Sequence, residues 1–589
     1  AASAAVKKTS ACKEEAGASA ADCATLAKKE AAKALGGEDY DTIKNDAAKK
    51  AAFDAKFDRM TREAGAKELA EAMRANKDIV DVSEREAAAL DIFKKSQTKT
   101  YANEKDAKMD FEKAKRDGAK AGLADTIKDC KTAGKTEAEC KADAEIAFAE
   151  SMGLDKTAGD FKAEYELFKK DAAASAAVKK TSACKEEAGA SAADCATLAK
   201  KEAAKALGGE DYDTIKNDAA KKAAFDAKFD RMTREAGAKE LAEAMRANKD
   251  IVDVSEREAA ALDIFKKSQT KTYANEKDAK MDFEKAKRDG AKAGLADTIK
   301  DCKAAEKDDC EAVAETVFAE SMGLTKGDNV DFKAEYELFK KDAAASAAVK
   351  KTSACKEEAG ASAADCATLA KKEAAKALGG EDYDTIKNDA AKKAAFDAKF
   401  DRMTREAGAK ELAEAMRANK GQTKEVRDAA ALDIFKQSQT KTYTNKKDVK
   451  MDFEKAKRDG AQAGIADTIK DCKNAGKADC DAVAKTEFAD SMGLDKTAGG
   501  FKAEYELFKK DAAASAAVKK TSACKEEAGA SAADCATLAK KEAAKALGGE
   551  DYDTIKNDAA KKAAFDAKFD RMTREAGAKE LAEAMRANK

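Results

Sequence analysis

Residues 1–37 read AASAAVKKTSACKEEAGASAADCATLAKKEAAKALGG, and they open a block that ends at Lys77. The whole block recurs without a substitution at Ala173–Lys249, Ala344–Lys420 and Ala513–Lys589. Successive copies begin 172, 171 and 169 residues apart. An enzyme needs its active site once, whereas an array multiplies one surface along one direction. The repetition therefore indicates a structural or scaffolding protein before any chemistry is considered.

The composition predicts an all-α protein that does not bind nucleic acid and has no membrane span in this window. Proline, tryptophan and histidine are absent from all 589 residues, and the lack of proline is typical of long helices because proline costs about 3 kcal/mol inside one. Lys and Arg number 113 against 114 Asp and Glu, so the basic excess of a nucleic-acid-binding protein is missing. No apolar run reaches the roughly 20 residues that span a bilayer.

The identical blocks divide the chain into superrepeats. Their predicted limits are residues 1–172, 173–343 and 344–512, followed by a partial fourth superrepeat at 513–589. The stretch Asp160–Asp171 precedes the second block and has equivalents before the later ones, but nothing like it precedes Ala1. We therefore expect an N-terminally truncated first helix and read the sequence as a window of a longer repeat array.

Each superrepeat is predicted to hold three weaker copies of a module of about 57 residues. The spacing from Asp171 to Cys184 equals that from Asp117 to Cys130, which aligns two of the modules. Each module reads as a helical hairpin, and one hairpin is too small to bury its apolar face alone. The hairpins are therefore expected to stack into an α-solenoid or an extended bundle or filament. Three modules per superhelical turn would return each surface to the same side once per period.

Helix start and stop signals define the second helix of a hairpin. Ser19-x-x-Asp22 and Thr136-x-x-Glu139 have the spacing of a capping box. Gly153 follows the last apolar residue of one such helix, where a glycine commonly ends the helix in a left-handed conformation.

The first helix of a hairpin carries an apolar stripe with i, i+4, i+7 spacing, which places its members on one helix face. The stripe comprises Phe53, Phe57 and Met60 in one module and Phe161, Tyr165 and Phe168 in another. Core packing explains this stripe, and a docking face for a helix-binding protein partner once per repeat is the alternative.

The fourteen cysteines form seven closely spaced pairs, each of which brackets a hairpin loop. The predicted disulfide pairs are Cys12 with Cys23, Cys130 with Cys140, Cys184 with Cys195, Cys302 with Cys310, Cys355 with Cys366, Cys472 with Cys480, and Cys524 with Cys535. The separations are 11, 10 or 8 residues, so both cysteines persist where the loop changes length. A clip of this size stabilises a module by about 2–3 kcal/mol. Reduced cysteines acting as small core residues, or zinc shared between two pairs, are the alternatives.

No catalytic residue, cofactor or metal site is predicted. Without histidine there is no triad of the usual kind, and neither phosphate-binding loops nor a dinucleotide fingerprint occur. The acidic stretches Glu38–Asp41 and Asp328–Asp331 could serve as calcium ligands, but they lack the twelve-residue EF-hand pattern. They are predicted instead to open the long helices that follow them.

The sequence thus favours a structural repeat protein that self-associates into a fibre outside the cell or in the lumen of a secretory organelle, since disulfides persist in oxidising compartments. Two alternatives remain. One is a giant cytoplasmic scaffold of a contractile or cytoskeletal fibre, with free thiols and a regulatory partner at each repeat. The other is the stalk of an adhesin whose binding module lies outside the window.

Overall fold

The computed structural model of the chain is built of α-helices, and no strand occurs among the residues that it describes. The all-α prediction is therefore confirmed. The structure describes residues 1–15, 19–76, 79, 81–97, 101–187, 189–248, 251, 253–271, 273–327, 330–357, 361–440, 443, 445–526 and 530–587. Two residues of the predicted acidic helix start, Asp328 and Asn329, lie outside this set.

Long helices alternate with shorter ones along the chain. The first fourteen helices are α1 (Ala2–Glu14), α2 (Ala20–Leu35), α3 (Tyr40–Ile43), α4 (Ala47–Ala75), α5 (Val82–Ser96), α6 (Glu104–Thr132), α7 (Glu137–Met152), α8 (Phe161–Glu186), α9 (Ala192–Leu207), α10 (Tyr212–Ile215), α11 (Ala219–Ala247), α12 (Val254–Ser268), α13 (Glu276–Ala304) and α14 (Cys310–Met322). Identical stretches of sequence form helices with the same bounds. The residues of α9 are those of α2, and the residues of α11 are those of α4.

The remaining helices follow the same order. They are α15 (Val330–Glu357), α16 (Ala363–Leu378), α17 (Tyr383–Ile386), α18 (Ala390–Ala418), α19 (Lys424–Ser438), α20 (Lys446–Asn474), α21 (Cys480–Met492), α22 (Phe501–Glu526), α23 (Ala532–Leu547), α24 (Tyr552–Ile555) and α25 (Ala559–Ala587).

The predicted capping signals are present at the second helix of a hairpin. The Thr136 hydroxyl accepts a hydrogen bond from the backbone N–H of Glu139, and the Glu139 carboxylate accepts one from the backbone N–H of Thr136, so α7 opens with a complete capping box. The Ser19 hydroxyl likewise accepts from the N–H of Asp22 at the start of α2. Gly153 ends α7 with φ 67°, a left-handed conformation that glycine adopts without strain.

The acidic stretch Glu38–Asp41 does not open the long helix, and this prediction is wrong. It opens the one-turn helix α3, whose Tyr40 and Ile43 are buried. These two side chains lie three residues apart and pack together with Ala32. The next long helix, α4, begins only at Ala47. Burial of Tyr40 and Ile43 explains why a separate helical turn precedes α4.

The chain divides into two units. One comprises residues 1–214, 232–272 and 297–323, and the other comprises residues 215–231, 273–296 and 324–589. In the first unit the aromatic ring of Phe148 lies 5.8, 5.9 and 4.8 Å from the rings of Phe161, Tyr165 and Phe168, measured between centroids.

In the second unit Phe488 occupies the same place among Phe501, Tyr505 and Phe508, at 5.9, 5.8 and 5.0 Å. Each aromatic group joins the stripe of a long helix to the short helix that precedes it.

Two glycines let α4 and α6, and likewise α18 and α20, approach each other closely. A Cβ atom on Gly118 would lie 2.0 Å from the carbonyl oxygen of Ala66, and one on Gly460 would lie 1.9 Å from that of Ala409. No side chain fits at these positions without separating the helices.

Candidate interface between successive repeats

A buried arginine–aspartate pair joins segments that are one superrepeat apart. In the first unit Arg116 of α6 donates to both carboxylate oxygens of Asp301 in α13, with Nη2 to Oδ2 at 2.7 Å. In the second unit Arg288 of α13 donates in the same way to Asp471 of α20, with Nη2 to Oδ2 at 2.8 Å. Both aspartates are almost fully buried. The planar guanidinium matches a carboxylate in this two-bond geometry, which lysine cannot reproduce.

The two pairs lie in nearly identical stretches of sequence. Residues 101–130 and 273–302 are the same thirty letters, and residues 443–472 differ from them at only a few positions. Burial raises the pKa of Asp471 to about 7, while the charge of Arg288 acts in the opposite direction.

A lysine–aspartate pair lies beside each arginine–aspartate pair. Lys307 Nζ lies 2.6 Å from Asp106 in the first unit, and Lys477 Nζ lies 2.6 Å from Asp278 in the second. Here the aspartate belongs to the first turn of the earlier helix, and the lysine follows the end of the later one. Both pairs recur, once in each unit. Within each unit, the earlier helix and the later helix are therefore held in the same register.

Glu243 of α11 forms ion pairs with two basic side chains of the preceding superrepeat. Its carboxylate contacts Arg62 of α4 and lies 2.8 Å from Lys113 of α6. Burial alone would raise the pKa of Glu243, but the charges of Arg62, Lys113 and Arg246 hold it well below its usual range. The equivalent glutamate in the second unit, Glu414, lies 2.7 Å from Lys285.

In the second unit the helices α15 and α22 form a further part of this contact. Lys520 Nζ is 2.8 Å from Glu335, and its side chain is 3% exposed. Leu338 of α15 and Leu538 of α23 pack against the same buried cluster, which includes Cys524. Apolar and ionic contacts thus occur together where one superrepeat meets the next.

The structure places all seven cysteine pairs at disulfide distance. The Cα atoms are 5.4 or 5.5 Å apart in the pairs 12–23, 130–140, 184–195, 302–310, 355–366, 472–480 and 524–535. This is within the range that a disulfide spans without backbone movement. Each pair joins one helix near its end to the start of the next helix across their connecting loop.

A lysine follows the first cysteine of every pair. Three of these lysines donate to a carbonyl oxygen in the last turn of a different short helix, where such oxygens lack a partner within the helix. The bonds are each 3.0 Å long and run from Lys13 to Lys94, from Lys185 to Lys266 and from Lys356 to Lys436. Burial lowers the pKa of all three donors.

Two other lysines of this kind bind just beyond the end of a short helix of another hairpin, α9 or α23. Lys131 donates to the carbonyl of Gly209 and Lys473 to that of Gly549, both at 2.9 Å. The disulfide end of one hairpin is thereby fixed to the open end of another. The repeated Cys-Lys dipeptide is visible in the sequence, but its target is not.

The stripe residues lie in the core rather than on a free surface. Phe57, Phe161, Tyr165 and Phe168 are buried. Phe53 packs against the buried clusters that contain Phe57 and Tyr40, and Met60 is partly buried.

Within the described residues, no helix combines the length and the apolar character that a membrane crossing requires. In the same part of the chain no group of three or more cysteine, aspartate or glutamate side chains is arranged to hold a metal ion.

Comparisons of the chain with protein-family models, with curated proteins and with solved structures return no match.

Proposed function

We propose that this chain is a structural repeat protein that builds a filament outside the cell or in a secretory organelle. Its building block is a disulfide-clipped helical hairpin of about 57 residues, repeated three times in each superrepeat of about 171. The hairpins stack as an α-solenoid. The proposal assigns the chain a mechanical role and no catalytic one.

The recurrence of one ion pair carries this proposal. Arg116 and Asp301 are 185 residues apart, and Arg288 and Asp471 are 183 apart. If three hairpins complete one superhelical turn, each arginine meets the aspartate of the next turn. Such a contact joins two different surfaces, so it does not close on itself and can continue along a filament.

The seven cysteine pairs support an oxidising compartment. The Cys12–Cys23 pair lies in a hairpin with little core of its own, since the buried residues of α1 and α2 are mostly alanines. A clip over such a short loop stabilises a hairpin by about 2–3 kcal/mol. An intracellular scaffold would have to keep fourteen thiols reduced at distances where they readily oxidise.

Thiol mapping of the native protein tests the proposal. The sample is alkylated before and after reduction, digested and analysed by mass spectrometry. We expect seven linked peptides, each joining the two cysteines of one hairpin, and no alkylation before reduction. Fourteen thiols that react without reduction would contradict the extracellular filament and support the cytoplasmic scaffold instead.

A further inference from the structure

We propose that a second copy of this chain docks with its first identical block, residues 1–77, on the end of the chain that carries the fourth block, residues 513–589. The surface at the fourth block, which we call the α22 face, is formed by Glu504 and Leu507 of α22 and Glu575 of α25. The surface at the first block, which we call the α1 face, is formed by Lys7 and Lys8 of α1 and Leu26 of α2. The inference rests on the proposed filament and names the contact that joins its chains.

The second unit contains the contact that this docking repeats. There the long helix that leads into the third block, α15, packs on the disulfide hairpin of the fourth block. Glu335 of α15 lies 2.8 Å from Lys520 Nζ, and the lysine side chain is 3% exposed. Leu338 of α15 packs against a buried cluster that includes Cys524 and that Leu538 also contacts. The front of one long helix thus covers the hairpin of the next block.

The α22 face has the same sequence as this part of α15 but lies open. Residues 332–357 and 501–526 are the same 26 letters. Leu507 is nevertheless 59% exposed and Glu504 is exposed, whereas their equivalents Leu338 and Glu335 are only partly exposed. Since the sequences are identical, the difference is that no hairpin of the described part of the chain covers this front of α22.

The α1 face is the complementary half of the same contact. Lys8 and Leu26 stand in the first block where Lys520 and Leu538 stand in the fourth. Lys520 is buried and Leu538 is partly buried, whereas Lys8 is exposed and Leu26 is 41% exposed. Both halves of the contact between α15 and the fourth block are therefore present and open in one chain.

A second recurrent ion pair is open in the same way. Glu63 of α4 lies 3.0 Å from Lys179 of α8 in the first unit, and Glu406 of α18 pairs with Lys519 of α22 in the second. In both cases the glutamate of one block contacts a lysine of the following block, and all four side chains are partly covered. The equivalents that are exposed are Glu575 of α25 and Lys7 of α1.

The leucine pair and the two ion pairs belong to one register. In the second unit the contact of α15 and the pair of Glu406 with Lys519 both join the third block to the fourth. A first block placed in the same way on the fourth block brings each residue of the α1 face to its partner on the α22 face. The second copy's residues 1–77 then lie one block beyond residues 513–589, so the two copies do not occupy the same space.

Opposite charges and apolar area both favour this docking. Burial of the two leucines contributes about 25 cal/mol for each Å² removed from water, and the ion pairs select the orientation. Because the two faces differ, the contact does not close on itself and each added copy offers a fresh α22 face.

Between copies the lysine has a single carboxylate partner. Lys520 contacts Asp331 as well as the glutamate of α15, but the equivalent of Asp331 before α22 is Gly500. Lys8 therefore depends on Glu504 alone. Reversing either charge leaves two like charges at a contact that is covered in the equivalent place, which is strongly unfavourable.

Sedimentation velocity over a range of protein concentrations tests the docking. We expect the wild-type chain to be monomeric at the lowest concentration and to form larger species as the concentration rises. Lys8→Glu and Glu504→Lys should each weaken self-association roughly tenfold, because like charges then face each other. The double variant that carries both substitutions should associate again, since the ion pair re-forms with its charges exchanged.

Lys180→Glu is the matched control. Lys180 holds the position of Lys8 in the second block and is exposed, but the helix that faces it in this register is α1, which begins at Ala2 and has no equivalent of Glu504. This variant should therefore associate as the wild type does. Circular dichroism and the thermal midpoint at the lowest concentration should be unchanged in all variants, since the substituted residues are exposed, and this separates lost docking from misfolding.

Association of both single variants at wild-type strength would overturn the docking. A double variant that fails to associate would overturn the pairing of Lys8 with Glu504, and a Lys180→Glu protein as weak as Lys8→Glu would overturn the register. A wild-type chain that stays monomeric at every concentration would also overturn the docking, whereas the proposed function is decided separately by the thiol map.

Discussion

A guanidinium that binds a buried carboxylate through two hydrogen bonds is stable only while both partners are present. Removing Arg288 from water is costly, and Asp471 offsets that cost only because the two groups meet in the fork geometry. Loss of one member typically costs about 3–5 kcal/mol, because the other is left buried and unpaired. Such a pair therefore selects one register of the helices more strongly than it adds stability.

Glu243 predicts how stability depends on pH. Its pKa is well below the usual range in the folded chain, so the stability that it contributes is present above about pH 4.5 and is lost as the pH falls further. Glu243→Gln should lower stability by about 1–2 kcal/mol at neutral pH, between the values for exposed and buried pairs. The difference from wild type should shrink between pH 4 and pH 2, as followed by thermal unfolding.

Glu71 provides the control for this measurement, since it occupies the same position in the first identical block but is exposed. Glu71→Gln should change the stability at neutral pH by less than about 0.5 kcal/mol. Equal effects of the two substitutions would contradict the assignment of Glu243 to the contact between repeats.

Replacing Gly118 or Gly122 of α6 by alanine should have opposite effects on the free energy of unfolding. A Cβ on Gly118 would lie 2.0 Å from a backbone oxygen, whereas on Gly122 it would meet only the end of the Arg74 side chain at 3.7 Å. Gly118→Ala should destabilise by about 1–3 kcal/mol through overpacking. Gly122→Ala should be neutral or stabilise by up to about 1 kcal/mol, because alanine favours a helix.

Urea unfolding of both variants measures the difference. A Gly118→Ala protein as stable as Gly122→Ala would show that α4 and α6 do not approach each other so closely.

At the scale of helices, the lysine after the first cysteine connects one hairpin to another. Lys356→Met keeps the aliphatic stem but removes the charged donor to the last turn of α19. Hydrogen exchange of the amides at the end of α19 should accelerate about five- to tenfold, since a charged hydrogen bond to a carbonyl is lost. Lys525→Met is the matched variant, because Lys525 holds the same position and is exposed; it should not change exchange in α19.

The disulfide clips predict a second effect on helix pairs. Replacing both Cys355 and Cys366 by alanine removes one clip without leaving a free thiol, and both sites are buried. The hairpin of α15 and α16 should lose about 2–3 kcal/mol, and it should exchange faster than the equivalent hairpin of α22 and α23. Exchange at equal rates in the two hairpins would contradict a stabilising role for the clip.

The helices could be predicted from local signals, and the contact between repeats could not. Apolar spacing and the cap at Thr136 depend on neighbouring residues only, and these are read directly from the sequence. Arg116 and Asp301 are 185 residues apart, so their pairing depends on how the intervening helices pack. The helix α3 was missed because four residues carry almost no periodicity, and its burial against Ala32 becomes visible only in three dimensions.

At the scale of the whole molecule, sequence repetition lets the same arginine–aspartate contact form several times. Each superrepeat carries both halves of the same ion pair, so a single evolved surface suffices for an array of any length. The near-equal numbers of acidic and basic residues suit such a surface, because each copy must supply both charges. The same property would let chains add to one another without a separate docking domain.

Electron microscopy of the purified chain under oxidising conditions tests the central claim most directly. We expect unbranched filaments with a regular axial repeat, which shorten or disperse when a reducing agent opens the clips. Discrete particles of constant size at every concentration, with or without reducing agent, would contradict it.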